Sequence, residues 1–95
     1  MFEWDAKKAT LNLAKHGVSF EEASTAFLDP NGLDGEDIEH SAKEPRRLRL
    51  AKGISGILLV IAYTERKHGD EKVTRIISAR RASRKERKNY EEKED

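Results

Sequence analysis

Arginine and histidine are the residues with chemistry to offer in this 95-residue chain. Arg47 and Arg49 stand two apart, so in an extended segment both side chains leave the same face. Arg46 precedes them, Arg66 and Arg80 end two further apolar runs, and Arg81, Arg84 and Lys85 follow. A guanidinium grips two phosphate oxygens at once and stays charged at any working pH. The set therefore reads either as a phosphate-binding surface over a sheet or as an ordinary solvated sheet face, and the Arg80-Arg81 pair tips the balance toward phosphate. His16, beside Lys15 at the end of a helical stripe, is either a C-terminal helix cap or a proton-transfer group, since histidine ordinarily titrates near pH 6.5. His68 sits in a turn and is expected in solvent. His40 is expected there too, unless its loop folds over a site. Tyr90, amid Arg84, Lys85, Arg87 and Lys88, either anchors the last helix or stacks on a base. Trp4 reads as core.

Other chemistries lack their residues. There is no cysteine, hence no disulfide and no thiolate metal site. Three scattered histidines make a poor metal set, and no Gly-rich phosphate loop or nucleophile elbow is present. No metal and no cofactor are expected. The charges are sorted along the chain: residues 1–45 carry four lysines against ten acids, net −6, while residues 46–95 carry fifteen cations against eight acids, net +7. Clustered cations gain by displacing counterions from phosphate, so the basic half points to nucleic acid or another acidic partner. The longest apolar run, Ile57 to Ala62, is far short of the roughly 20 residues of a membrane span, and no signal-peptide pattern opens the sequence. A cytoplasmic protein with no membrane contact is expected.

The elements that must hold these residues are legible in outline. Phe2 and Trp4 alternate about Glu3 in a short strand. Asp5 then caps a helix with Ala6, Ala9, Leu13 and His16 on one face, stopped by Gly17. Ser19 and Glu22 form a capping box for a second helix with Phe20, Ala23 and Phe27 inward. Asp29-Pro30-Asn31-Gly32 ends it, and the acidic stretch to Glu44 reads as a loop of about a dozen residues. Three strands follow, near 46–52, 57–66 and 72–80, as an antiparallel meander whose middle strand is apolar on both faces. Ser83 and Glu86 cap a last helix with only Tyr90 to anchor it. The expectation is one α+β domain over residues 1–95, in the order β-α-α-β-β-β-α.

Phe2-Glu3-Trp4-Asp5, Lys8, Asn12, Lys15 through Ala23, Asp29-Pro30, His40-Ser41, Glu44, Arg46, the Leu59-to-Arg66 strand, Arg75 through Ser83, Glu86 and Tyr90 together resemble the BrnT family of type II toxins. The resemblance spans essentially the whole chain. It implies a ribonuclease toxin of RelE-like fold, its antiparallel sheet packed by two N-terminal helices and a basic C-terminal helix. It further implies a ribbon-helix-helix antitoxin of the BrnA kind, the pair repressing its own operon by binding operator DNA. RelE-type toxins carry an arginine on the last strand and an aromatic hydroxyl near the carboxyl end, which Arg80 and Tyr90 match.

Joined to the charge pattern, the resemblance leads to one expected mechanism: metal-independent RNA cleavage by attack of the substrate's own 2′-hydroxyl, blocking translation. Arg80 would steady the phosphate with Arg46 and Arg66 assisting, Tyr90 would orient a base, and Lys15 or His16 would carry the proton. Arg47, Arg49, Arg81, Arg84 and Lys85 would bind the RNA strand. The alternative is a non-catalytic nucleic-acid or protein binding module. A further reading gives the thinly anchored last helix to the antitoxin.

Overall fold

A computed structural model describes residues 1–42 and 44–94 of the chain. Strand β1 (Phe2–Glu3) leads into helix α1 (Ala6–His16), then α2 (Phe20–Thr25) and a single 3-10 turn (Ala26–Leu28). Strand β2 (Leu33–Glu36), a second 3-10 turn (Ile38–His40), strands β3 (Arg47–Lys52), β4 (Leu58–His68) and β5 (Glu71–Arg81), and helix α3 (Arg84–Glu94) complete it. The five strands form one mixed sheet in the order β1-β5-β4-β3-β2. Among the described residues no helix is long and apolar enough to cross a membrane.

The α+β class and the β3-β4-β5 meander match expectation; two details differ. The acidic stretch after Asn31 is not all loop, because Leu33 to Glu36 pair antiparallel with Leu50 to Arg47 as strand β2. Leu-Asp-Gly-Glu has almost no strand propensity of its own, and what recruits it is the open edge of β3 and the cross-strand pair of Asp34 with Arg49. The sheet is also mixed rather than antiparallel, since β1 runs parallel to β5.

Caps follow the sequence. Asp5 Oδ1 accepts from the Lys7 and Lys8 amides, which lowers its pKa, and Gly17 closes α1 at φ 69°. Ser19 caps α2 through the Glu22 amide, but Glu22 does not return the bond; its carboxylate reaches the Ser55 amide and hydroxyl instead. α1 and α2 cover one sheet face, where Val18, Phe20, Ala23, Ala51, Leu59, Ile61 and Ile76 form the core. β4 is buried on both faces from Leu58 to Thr64. At its β3 end the second face is covered by α3, whose Tyr90 is buried beneath the Lys52 ammonium.

Two local features aim the functional side chains. β1 pairs with β5 only at Thr74 and Arg75, so the outer edge of β5 is open beyond that point. Asn12 of α1 fills it: Nδ2 donates to the carbonyls of Val18 (2.9 Å) and Ala79 (2.8 Å), and Oδ1 accepts from the Ala79 amide (3.1 Å). A bulge then places Ala62 opposite Ser78 but Tyr63 opposite Ile76, leaving Ile77 extra. The inserted residue resets the alternation, so that Ile76 and Ala79 both face the core while Ser78 and Arg80 face away from it.

Candidate active site

On the sheet face turned away from α1 and α2, Leu48, Val60, Ala62, Ser78 and Arg80 floor a cleft of about 350 Å³. Its walls are His16, Asp37, Glu39, His40 and Arg46. Each wall has a local cause. His16 lies one helical turn past Asn12, so the amide that pins α1 to Ala79 also brings His16 to the strand bearing Arg80.

The opposite wall is the segment between β2 and β3. The Asp37 amide donates to Arg46 O (2.8 Å), the Ser41 hydroxyl to Asp37 O (2.6 Å), and the Arg46 amide to Ser41 Oγ (3.0 Å), which draws this stretch into a closed loop. Within it His40 Nδ1 stands 3.1 Å from both carboxylate oxygens of Asp37. A carboxylate only accepts, so this contact is made by a ring that donates from Nδ1, an orientation that leaves Nε2 turned away from Asp37.

Arg80 is held rather than free. Nη1 donates to Glu86 Oε1 (2.8 Å) and Nη2 to Glu86 Oε2 (2.9 Å), with a further Nη1 bond to Arg81 O (3.2 Å). Glu86 Oε1 also accepts from the Ser83 amide in the capping box of α3. Glu86 raises the pKa of Arg80, and Arg80 above all pulls Glu86 down to about 2. Of five guanidinium donors, Nε–H and one Nη2–H have no partner among the described residues. These two share one edge of the fork, the edge that takes a phosphate side-on.

Of the other residues named from sequence, Arg66 lines an adjoining hollow and pairs with Glu44. Lys15 is exposed and does not line the cleft. The expectation that Arg47 and Arg49 share a face holds, but it is the helix-side face. Arg49 is buried there, donating to Asp34 Oδ2 (2.6 Å), Ala26 O (3.0 Å) and Asp29 O (2.8 Å), with its guanidinium over the Phe27 ring. Arg47 Nε donates to the Tyr63 hydroxyl, which donates to Asp34 Oδ1 (2.6 Å). Neither arginine sits with Arg80, because alternation of β3 sends them to the other side.

Arg81 likewise lies across the sheet from Arg80, in a groove with Leu13, Gly17 and Glu22. Arg84 lines a shallow groove on α3 itself, and Lys85 is exposed. Tyr90 is 1% exposed with its hydroxyl donating to Asp29 Oδ2 (2.7 Å), so it anchors α3 and has no face to offer a base. Burial alone would raise the Asp29 pKa, but the Lys52 amide, the Tyr90 hydroxyl and the Asn31 amide outweigh it and the carboxyl ends below its usual value. His68 is exposed, as expected, and Trp4 packs against the core.

Sequence reasoning missed Asp37, Glu39 and Asn12 as parts of the site. The Asp37-x-x-His40 spacing was the available signal for the first. Nothing local marks Asn12, whose partner is 67 residues away. Among the described residues no three His, Asp or Glu side chains converge as a metal site would need.

The arrangement offers a phosphate grip between two imidazoles, and the comparisons with known proteins bear on what it serves. No curated protein sequence matches the chain. The 1.1 Å crystal structure of the Brucella abortus ribonuclease toxin BrnT shares the fold, with a TM-score of 0.62 at 23% identity over 88% of this chain and 99% of that one. A family described as "Ribonuclease toxin, BrnT, of type II toxin-antitoxin system" matches residues 4–86, from the tryptophan before α1 to the carboxylate that holds Arg80. With nearly the whole chain inside that match, the protein belongs to the BrnT family of ribonuclease toxins.

Proposed function

We propose that this chain is a metal-independent endoribonuclease toxin whose chemistry runs in the cleft between His16, His40 and Arg80. One observation carries the reading: Arg80 is immobilised by Glu86 with its phosphate-binding edge left open, in a cleft walled by two histidines. Type II toxin-antitoxin membership supplies the RNA substrate and an antitoxin partner.

In this reading a phosphodiester docks on Nε and Nη2 of Arg80, with Arg46 on the other wall. His40 Nε2 takes the proton from the 2′-hydroxyl, and the 2′-oxygen attacks phosphorus. Negative charge on the equatorial oxygens is met by the two guanidiniums. The bond to the 5′-oxygen breaks, and His16 delivers a proton to that leaving oxygen. The products are a 2′,3′-cyclic phosphate and a 5′-hydroxyl. His40 is assigned the base because Asp37 steadies the imidazolium it becomes, as carboxylate–histidine pairs do.

The finer parts of the reading are RelE-like kinship of the fold, arrest of translation in the cytoplasm, and a ribbon-helix-helix antitoxin that shares operator binding. They are what the resemblance to the BrnT family implies; of the chain's own features, the basic carboxyl-terminal half accords with a nucleic-acid substrate. The test is cleavage of RNA by purified protein in EDTA with mapping of the new ends. Cyclic or 3′-phosphate ends, lost in Arg80→Ala, are expected. Cleavage that requires a divalent ion, or 3′-hydroxyl ends, sinks the mechanism, and no cleavage with retained RNA binding leaves a binding module.

A further inference from the structure

Next to the cleft lies a second hollow of about 530 Å³, lined by His40, Ala42, Glu44, Arg46 and Arg66. It shares His40 and Arg46 with the cleft, so one strand could run from one to the other without leaving the protein. Both depressions open on the same sheet face, since Val60, Ala62 and Arg66 alternate together along β4. Arg80 stands opposite Val60, and Arg66 is six residues further along β4, about 20 Å at about 3.3 Å per residue. Arg46, next to the Arg47–Tyr63 pair, lies between them.

The two arginines are partnered in different ways. Arg80 has short, paired bonds to Glu86 and keeps its side-on edge. Arg66 offers only Nη2 to Glu44, at 3.3 and 3.5 Å, and both side chains are 44% exposed. An exposed pair at such distances holds little. A carboxylate presents two oxygens to a guanidinium much as a phosphodiester does. The pair is weak enough for a phosphodiester to take the carboxylate's place once the strand that carries it is already held in the adjoining cleft, which raises its local concentration at Arg66.

Resting on the catalytic reading above, we propose that the Arg66 hollow is a second phosphate subsite, which grips the RNA backbone some nucleotides from the scissile bond. Glu44 occupies it in the free toxin. The enzyme thus senses strand length: an RNA that stops within the cleft leaves Arg66 on Glu44, and a longer one exchanges Glu44 for a phosphate. The subsite selects single-stranded RNA by backbone and is indifferent to base.

The experiment measures affinity for 2′-O-methyl oligonucleotides of two to eight nucleotides, which cannot be cleaved because the attacking oxygen is blocked. Wild-type affinity is expected to step up at one length. The step is lost in Arg66→Ala and enlarged in Glu44→Gln. For the longest oligomer, the slope of log affinity against log salt falls by about 0.7 in Arg66→Ala, the share of one phosphate contact with a single strand. A smooth length dependence in wild type, or an unchanged step and slope in Arg66→Ala, overturns the proposal. A length step in a protein that cuts no ribose RNA supports the subsite and removes only the catalytic reading.

Discussion

Asn12 and Ala79 are joined across 67 residues by two hydrogen bonds, in which the side-chain amide stands in for a missing strand on β5. The same contact sets His16, one turn on, in the wall of the cleft that Arg80 floors. Asn12→Asp keeps the shape but turns a carboxylate oxygen toward the carbonyls of Val18 and Ala79, so two buried acceptors lose their donor. We expect a loss of about 2 kcal/mol, which for a domain of this size lowers Tm by roughly 8–16 °C. Thermal unfolding followed by circular dichroism reads it, and an unchanged Tm refutes the pinning role.

Replacing Arg80 by lysine keeps the charge and loses the fork. Cleavage should fall about 100-fold or more, the range seen when one preorganised donor is removed from a developing oxyanion. Glu86→Gln leaves Arg80 in place with only one acceptor oxygen, so a smaller loss, about tenfold, is expected through poorer orientation of the fork. Single-turnover rates on one RNA decide the order, and a Glu86→Gln enzyme faster than wild type means that the pair restrains Arg80 instead of aiming it.

If His40 is the base and His16 the acid, each variant removes a different limb of the pH–rate profile. His40→Gln should flatten the rise on the acid side, and His16→Gln the fall on the alkaline side. Asp37→Asn should lower the rate at every pH while keeping both limbs, since it orients His40 without exchanging protons with RNA. Interchanged limbs reverse the assignment, and two intact limbs in both histidine variants remove it.

Arg49 is a structural cation. Arg49→Met takes the charged donor from Asp34 Oδ2 and from the carbonyls of Ala26 and Asp29 in a largely buried setting, leaving Asp34 the Tyr63 hydroxyl and the two carbonyls the Asp29 and Gly32 amides. Breaking such a pair from one side destabilises by about 2–3 kcal/mol after allowance for the partial exposure of Asp34. RNA affinity measured well below the Tm should stay at the wild-type value, and a selective loss of affinity would return Arg49 to the RNA-binding set. Gly32→Ala offers a second check, because its new Cβ collides with the Arg49 guanidinium.

Two groups with large shifts contribute to the pH limits of stability, Glu86 alongside Asp5 and Asp29 on the acid side and Tyr63 on the alkaline side. The pKa of Glu86 falls from 4.5 unfolded to about 2 folded, chiefly through its bond from Arg80. Its contribution is present above pH 4.5 and fades as pH drops toward 2. Burial, with the bond to Asp34, pushes the Tyr63 hydroxyl from 10 up to about 12, so its contribution is full below pH 10 and lost between 10 and 12. Urea midpoints across pH should show both flanks. Glu86→Gln removes the acid-side component and Tyr63→Phe the alkaline one, and a variant with an unaltered flank contradicts its assignment.

Much of this protein follows from local patterns. Asp5, Gly17, Ser19 and Ser83 mark the helix ends because capping is settled within a few residues. The unbroken apolar run of β4 announces a strand covered on both faces, and the order of caps and apolar runs is enough for the α+β class and the meander. The arginines were likewise visible as residue types. Which of them meet was not. Alternation parts Arg80 and Arg81 to opposite faces, but a single bulged residue in β5 decides that Arg80 is the one in the cleft, and nothing in Ile76-Ile77-Ser78 announces it. Strand β2 exists only because β3 has an edge to fill, and with it comes the Asp34 that claims Arg49 and Tyr63. His40 reaches the cleft through the bonds of Ser41 to Asp37 and Arg46, in a loop whose composition favoured solvent and left folding over a site as the exception. Local chemistry chooses the elements; register, edges and burial choose which side chains face one another, and those depend on contacts between residues far apart in the chain.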